Sequence, residues 1–257
     1  VAAEAIRVEL DAGCRDEVVG HWTRHRIADM VRLAPNDGLA VVAVVGPRSG
    51  ALLDPLCGES VSELAPLDWV TASIAGVPVR VRRNDERLDI VGWDVTVDSD
   101  AAPTVIAALA AAGAVEVTDA AWTAVRVANG VPIDRIDMNE ENIPLESDHL
   151  IRAISWDKGC YIGQEVIARM HYRGKPNRHL RGVRLSAGEA PSPGDILVAE
   201  GGKEVGVVGT VCERSETGDA IALAVVKRHF ADPGTPLTTP GGTRAIVVSL
   251  PFGTAAD

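Results

Sequence analysis

The sequence predicts an α+β protein in which a body of alternating helices and strands precedes a small antiparallel β-barrel. Through residue 176, segments with apolar residues at helical spacing alternate with short, continuous apolar runs. From residue 177 onward, glycine becomes frequent, helical spacing disappears, and turn residues separate short β-rich runs. These two patterns predict two domains, a body over residues 1–176 and a β-barrel over residues 177–257.

The body shows a helix or strand signal in each of its successive segments. Residues 39–45 are a run of seven apolar residues, which is typical of a buried strand, and the turn at residues 46–50 can open a helix. Glycines at positions 113 and 130 end two later helical stretches. The predicted strands are residues 5–10, 39–45, 77–81 and 89–97, and the predicted helices are residues 16–31, 49–56, 103–112 and 121–127.

The C-terminal part contains five short β-rich runs with turn residues between them. Strands of this length and spacing, without helical segments among them, are typical of a small antiparallel barrel. The predicted strands are residues 180–185, 196–199, 204–211, 220–226 and 244–250.

Composition places the chain among ordinary globular proteins. Of its 257 residues, 46% are hydrophobic and 24% are charged. The apolar runs are far shorter than the roughly 20 residues that span a bilayer. No basic stretch followed by an apolar one marks a signal peptide at the N-terminus. We therefore expect no membrane partner.

The formal charge of −11 argues against general nucleic-acid binding, which requires a basic surface. The charge is unevenly distributed, however, because residues 166–188 contain six cations and no acid. This basic island consists of Arg169, Arg173, Lys175, Arg178, Arg181 and Arg184. It indicates either a specific anionic partner or a solvated face that acids of the folded protein balance.

The four cysteines are scattered along the chain, at Cys14, Cys57, Cys160 and Cys212. No pair has the Cys-x-x-Cys spacing of zinc or redox motifs, and such low usage suits a reducing cytoplasm. Three of them, Cys14, Cys57 and Cys212, are interpreted as small buried hydrophobic residues.

Cys160 lies between two glycines, just before a segment of good helix formers at residues 164–170. A thiol at a helix N-terminus beside Lys158 is favoured as the thiolate, the form that attacks electrophiles or binds metal. The alternative is a turn whose cysteine packs inward.

Side chains near this cysteine offer further contacts to a ligand. Trp156 and Tyr161 can stack on a planar ligand or pack in the core, and His171, Arg173 and Lys175 can hold carboxylates or phosphates. No metal site is expected, since His171 and His179 lack suitably spaced partners.

The run Lys158-Gly159-Cys160-Tyr161-Ile162-Gly163-Gln164-Glu165 closely resembles the signature of YgfZ-type folate-binding proteins, which are relatives of the glycine-cleavage T-protein. Residues 125–132, 142–146 and 46–49 resemble further segments of that family. The resemblance extends from about residue 41 to the end of the chain.

This resemblance implies a T-protein-like fold, with interlocked α+β subdomains around a folate pocket and a C-terminal antiparallel β-barrel. It implies a cytoplasmic protein that binds tetrahydrofolate and assists the synthesis or repair of iron-sulfur enzymes, including one that modifies tRNA. It makes Cys160 the essential, candidate catalytic residue. The candidate cofactor-binding residues are Lys158, Gly159, Tyr161, Gly163, Gln164, Glu165, Arg126, Arg173 and Lys175.

Two features depart from the family pattern. The chain is expected to lack an N-terminal segment that contributes to the folate pocket, and Ala128 stands where T-protein aminomethyltransferases carry a folate-contacting glutamate. Those transferases also lack the cysteine. Ala128 and Cys160 together point away from aminomethyl transfer, so a folate-dependent aminomethyl or one-carbon transferase is only the alternative function, and a binding module with a purely structural Cys160 is a third.

Six carboxylates lie within residues 134–148, at Asp134, Asp137, Glu140, Glu141, Glu146 and Asp148. This stretch is interpreted as a solvated loop. The alternative is a catalytic site with paired carboxylates.

Overall fold

The computed structural model describes residues 6–10, 12–27, 30–213 and 220–253. Its five α-helices and ten strands divide between a sheet with helices, a connecting region and a barrel. The helices are α1 Arg15–His25, α2 Ser49–Cys57, α3 Ala102–Ala111, α4 Asp119–Ala128 and α5 Gln164–Arg173.

The body contains a four-stranded antiparallel sheet in the order β1-β4-β3-β2. Its strands are β1 Leu39–Val45, β2 Trp69–Ile74, β3 Val77–Arg83 and β4 Gly92–Asp98. Alternate residues of β3 and β4 are buried on one face, among them Val81 and Val95, which are opposite each other in the register. Leu53 of α2 and Val105 of α3 belong to the same core, so both helices cover this face.

Gly50 lets α2 approach the sheet closely. A Cβ atom at this position would lie 2.8 Å from the Trp93 ring and 2.9 Å from the Ser62 side chain. The Trp93 ring is buried, and its Nε1 donates a hydrogen bond to the Val61 carbonyl at 3.1 Å. A glycine is therefore required where α2 crosses β4.

The barrel follows α5 and closes in the order β10-β5-β8-β7-β6-β9. Small and β-branched residues from all sides, such as Val183, Ala222 and Val247, fill its interior. The strands are β5 Arg178–Leu185, β6 Ile196–Ala199, β7 Lys203–Glu213, β8 Ala220–Lys227, β9 Pro236–Thr238 and β10 Arg244–Val248.

Helix α4 connects the body to the barrel. Its N-terminus is capped by Thr118, whose Oγ1 accepts a hydrogen bond from the Ala121 backbone N–H at 3.2 Å. Its far end contributes Val127 to a buried cluster with Leu180 of β5 and Leu223 of β8. Gly130 then adopts a φ of +75°, a backbone conformation that favours glycine just after a helix end.

The fold confirms the predicted α+β class with a C-terminal antiparallel barrel. Each predicted helix of the body is present, but α1 ends at His25, whereas the prediction ran to residue 31. Residues 28–29 of that prediction, and residue 5 of the predicted first strand, lie outside the described residues. The domain division at residue 176 stays a prediction.

The strand predictions need correction: the strand predicted at residues 89–97 begins only at Gly92, one predicted strand is absent, and two strands were missed. Residues 6–10 form no strand, and the exposed Ile6 and Val8 show that their apolar alternation covers no sheet surface. Strand β2 was missed although its apolar and polar residues alternate. Strand β9 was missed because it has only three residues and begins with proline, so it carries almost no pattern.

Candidate functional site

The candidate site is the Cys160 loop, residues 154–163, which joins a short 3₁₀ turn to α5. Gly163 has a φ of +88° and directly precedes the helix, which is a backbone conformation that favours glycine. The Gln164 N–H donates to the Tyr161 carbonyl at 3.2 Å, and the Ile167 N–H donates to the Gly163 carbonyl at 3.3 Å. Cys160 is exposed in this loop, four residues before Gln164. The structure thus places the thiol outward, in a turn that precedes a helix.

An aromatic cluster of Trp156, His171 and Tyr172 holds the loop against the end of α5. The Trp156 and His171 rings stack with centroids 4.0 Å apart, and His171 meets Tyr172 edge to face at 4.8 Å. Lys158 also bends over the Tyr161 ring, with Nζ 4.5 Å from its centroid. The first of these contacts ties Trp156 to α5, and the Lys158–Tyr161 contact lies within the loop, on either side of Cys160.

The surface around the loop combines apolar side chains with cations. Trp156 and Tyr172 are 40% and 74% exposed, and Ile162 and Val166 are also exposed. The surrounding exposed cations are Lys158, Arg169, Arg173 and Lys175. Such a surface suits a ligand that is planar and amphipathic at one end and anionic at the other.

The basic island divides into two halves with different surroundings. Arg178 donates from Nε to Glu146 Oε1 at 3.2 Å, and Arg181 donates to the Ala231 carbonyl at 3.0 Å and lies 3.8 Å from Asp148. Arg184 lies against the Phe252 ring. These three residues belong to β5 and interact within the fold. Arg169, Arg173 and Lys175 belong to α5 and its exit, and they face solvent.

Arg126, a candidate cofactor-binding residue, is only 4% exposed. Its guanidinium donates to Asp137 Oδ2, to the Val131 carbonyl and to Thr210 Oγ1, each at 2.6 Å. Asp137 in turn accepts a backbone hydrogen bond from Thr210 at 2.7 Å. Because these bonds tie α4 to β7 in the protein interior, we assign Arg126 a structural role and omit it from the function proposed below.

The acidic stretch at residues 134–148 is not uniformly solvated, so that interpretation was wrong for two of its members. Asp137 is 4% exposed and paired with Arg126, and Glu146 is 5% exposed. Glu146 accepts hydrogen bonds from Asn142 at 2.7 Å and from Arg178 at 3.2 Å. The sequence signal that could have found these pairs is the charge complementarity between the acidic stretch and the cations around it.

The remaining cysteines lie in environments unlike that of Cys160. Cys57 is buried as predicted, and burial raises the pKa of its thiol to about 11, with Asp54 and Glu59 adding to the effect. Cys212 is half-buried against the cluster of Val127 and Leu223, and burial raises the pKa of its thiol. Cys14 is half-buried too, but its Sγ donates to Asp134 Oδ2 at 3.2 Å instead of packing in a core.

Two cavities lie beside the barrel, and Cys160 lines neither. The first, about 200 Å³, is lined by Asp89, His149 and Arg152 together with Leu180 and Leu250. Arg152 donates to Asp89 at 2.8 Å and to the His149 ring, and burial lowers the pKa of His149 with the help of Arg152. The second, about 240 Å³, lies between residues 136–142 and the strands β7 and β8. Both are smaller than the roughly 300–1,000 Å³ of typical ligand pockets.

Among the described residues, no group of three or more histidine, cysteine or acidic residues is arranged to hold a metal ion. No helix in this part of the chain combines the length and apolar composition needed to cross a membrane.

Comparison with known proteins gives the same architecture. Residues 2–158 match the GCVT N-terminal domain, and residues 178–252 match the glycine cleavage T-protein C-terminal barrel domain. The crystal structure of glycine cleavage system aminomethyltransferase T from Bartonella henselae superposes with a TM-score of 0.78 at 19% identity. The superposition covers 94% of this chain and 67% of that one. The likeness confirms the T-protein-like fold.

The curated relatives include aminomethyltransferases, a putative chloroplastic transferase of Arabidopsis thaliana and YgfZ proteins. An aminomethyltransferase of Saccharopolyspora erythraea is 30% identical over 225 residues, which is 84% of this chain and 60% of the relative. The tRNA-modifying protein YgfZ of Cronobacter sakazakii is 26% identical over 86% of this chain and 65% of its own length. The chain thus spans less than two thirds of the length of these relatives. It belongs to the glycine-cleavage T-protein superfamily, within which the run from Lys158 to Glu165 makes it similar to YgfZ-type proteins.

Proposed function

We propose that this protein binds tetrahydrofolate and acts as a cytoplasmic accessory factor in the assembly or repair of iron-sulfur enzymes, through the Cys160 thiol. The observation that carries the proposal is the exposure of Cys160 within the run Lys158–Glu165. Membership of the T-protein superfamily and likeness to YgfZ support it. Direct nucleic-acid binding is not part of the proposal, given the net charge of −11.

The chemistry of the side chains around the loop fits reduced folate. Folate joins a planar, amphipathic pterin to an anionic glutamate tail, and the loop offers exposed rings beside cations. The fit is to the exposed side chains around the loop, and Cys160 lines neither of the two cavities beside the barrel. Bound folate would supply a carrier for a one-carbon unit.

Within this proposal, each candidate residue has a distinct role. Gly159 and Gly163 bring the backbone of the loop close to the ligand, since no side chain stands in the way. Tyr161 offers its ring, while Gln164 and Glu165 offer polar groups from the first turn of α5 to the pterin edge. Arg173 and Lys175 receive the carboxylates of the glutamate tail, and Lys158 adds positive charge beside the thiol.

The role of Cys160 follows from the chemistry of thiols. Its thiolate is a soft nucleophile and a ligand suited to iron. An exposed thiol can meet an atom carried by a partner protein, whereas Cys57, in the core, cannot. We therefore assign Cys160 a transient bond of one of two kinds. With iron of a client's cluster, the thiol would lose its proton and its sulfur would replace another ligand of the metal; with a methylene carbon carried by folate, the thiolate would add to the C=N⁺ bond, whose electron pair would move to the nitrogen.

The second candidate function is a folate-dependent aminomethyl or one-carbon transferase. The aminomethyltransferases among the relatives favour it. Against it stands Ala128, which offers a methyl group where the transferases have a carboxylate, and which packs beside the cluster of Val127 and Leu180. Turnover of a methylamine-type donor with tetrahydrofolate would establish this alternative.

The proposal is tested by complementation in a strain that lacks the endogenous gene. The full-length protein is supplied intact, as Cys160→Ala or as Cys212→Ala, and the activity of iron-sulfur enzymes is measured under oxidative stress. We expect the intact protein and Cys212→Ala to restore activity and Cys160→Ala to fail, with similar protein levels for all three. Equal restoration by Cys160→Ala would show that the thiol is structural and would sink the proposal.

A further inference from the structure

A buried carboxylate fixes two arginines at the edge of the body sheet. Asp94 of β4 is 1% exposed and accepts hydrogen bonds from Arg82 at 2.7 Å, from Arg87 at 2.7 and 3.0 Å, and from Asn84 at 2.6 Å. Burial by itself would raise the pKa of Asp94, but these hydrogen bonds outweigh it and hold the pKa below its usual value. Asp94 is therefore ionised at neutral pH, and both guanidinium groups have fixed positions.

The outer sides of the same two arginines converge on one carboxylate. Arg82 Nη2 donates to Glu9 Oε2 at 3.0 Å, and Arg87 Nη2 donates to Glu9 Oε1 at 2.5 Å. Each oxygen of Glu9 thus meets a different guanidinium, which is the arrangement that favours carboxylate and phosphate groups. All three side chains are partly exposed, at 28–38%, so solvent reaches this side of the cluster.

The Glu9 carboxylate between the two arginines comes from an exposed part of the chain that is remote in sequence. Glu9 lies 73 and 78 residues from the arginines in sequence, within residues 6–10, which form no regular secondary structure. Arg82, Arg87 and the ionised Asp94 together carry one positive charge. Glu9 neutralises it, and its departure would leave two ordered guanidinium groups facing solvent.

We propose that Arg82 and Arg87 form a binding site for a carboxylate or phosphate group, and that Glu9 occupies this site as a displaceable ligand from the same chain. Partly exposed ion pairs contribute little free energy each, so Glu9 is held mainly by its tether. A tethered group acts like a free ligand at roughly millimolar concentration. An incoming ligand with more than one anionic group can therefore replace it.

The test compares anion binding to the full-length protein with and without the competing carboxylate. Inorganic phosphate and glutarate are titrated into the wild type, Glu9→Gln and Glu86→Gln by calorimetry at low salt. Glu86 is exposed next to Arg87, so its variant removes the same charge beside the site without emptying it. We expect at least one probe to bind Glu9→Gln tenfold or more tightly than it binds the wild type and Glu86→Gln. The probe that responds distinguishes a phosphate ligand from a carboxylate ligand.

The proposal fails if Glu9→Gln and the wild type bind both probes with equal affinity. It also fails if Glu86→Gln gains as much affinity as Glu9→Gln, since the effect would then be one of local charge. A second measurement needs no further variant: the side-chain N–H signals of Arg82 and Arg87 are followed by NMR during the titration of Glu9→Gln. Saturable shifts of both signals are expected, and unchanged signals would overturn the assignment.

Discussion

At the scale of single residues, the cysteines differ in how far each thiol is exposed to solvent. Cys160 is exposed on a loop, whereas Cys57 sits in the core beneath the sheet. Burial raises the pKa of the Cys57 thiol to about 11, so at pH 8 only about one molecule in a thousand carries its thiolate. Reactivity with electrophiles follows the thiolate and its access to solvent.

Thiol labelling of the native protein should therefore distinguish these cysteines. With iodoacetamide at pH 8, we expect Cys160 to react first and Cys57 about a hundredfold more slowly, as read by peptide mass spectrometry. In urea, where burial is lost, the two rates should become similar. Slow labelling of Cys160 that depends on unfolding would support a binding module in which this residue is structural.

At the scale of elements, strand β7 shows how the barrel is attached to the body. Its register with β8 shifts between Val208 and Val211, which is a β-bulge. The bulge leaves the Thr210 N–H available to Asp137, at 2.7 Å, while Thr210 Oγ1 accepts from Arg126. The irregularity of β7 thus completes the buried ion pair between α4 and the loop that follows it.

Gly209 should be essential to this junction. A Cβ atom there would lie 3.0 Å from Asp137 Cα and 3.2 Å from the Leu223 carbonyl oxygen, and it would overlap Asp137 Oδ1. We expect Gly209→Ala to destabilise the protein by about 1–3 kcal/mol, because backbone atoms would have to move. Urea unfolding followed by circular dichroism measures the loss.

Gly20→Ala in α1 is the matched control for this substitution. A Cβ atom at Gly20 would meet nothing within 4 Å. Alanine is the better helix former, so the control should be neutral or stabilising, by up to about 1 kcal/mol. Equal unfolding midpoints for Gly209→Ala and the wild type would contradict the role given to the bulge.

At the scale of the whole molecule, the protein is acidic but presents a basic surface at the end of α5. The net charge is −11, yet Arg169, Arg173 and Lys175 lie exposed together at α5 and its exit. A long anionic tail would be repelled by most of the surface and attracted there. This distribution supports the assignment of the folate tail to this end of α5.

The affinity for folates with different tail lengths tests that assignment. In the double variant Arg173→Ala/Lys175→Ala, affinity for tetrahydrofolate pentaglutamate should fall roughly two- to thirtyfold, since exposed ion pairs contribute about 0.2–1 kcal/mol each. Affinity for the monoglutamate should fall less, and added salt should reduce the difference. Fluorescence titration provides the dissociation constants.

A control variant tests whether net charge alone explains the loss of affinity. Arg24→Ala/Lys203→Ala removes two positive charges at exposed positions outside the basic island. This variant should bind both folates like the wild type. If the control variant lost as much affinity for the pentaglutamate as Arg173→Ala/Lys175→Ala, the affinity for the tail would depend on net charge and not on contacts with these two residues.

Local patterns in the sequence were sufficient for the fold class, for most elements and for the position of Cys160. Strand β1 and helix α2 follow from an apolar run and the glycine turn after it, and the glycine before Gln164 predicts the start of α5. Strand β9 was beyond this reasoning because three residues carry too little periodicity. Its place is set by the strands on either side of it.

The sequence by itself thus determined an α+β body, an antiparallel barrel and a glycine-flanked turn that carries Cys160 before a helix, whereas the exposure of that thiol was decided by the structure. Only the tertiary structure decided which charged groups are paired: Arg126 with Asp137, Arg178 with Glu146, and Arg82 and Arg87 with Glu9 and Asp94. The physical reason is the separation in sequence between the interacting residues. Helix and strand periodicities record which face of an element is apolar, whereas an ion pair between distant residues exists only where packing brings two elements together.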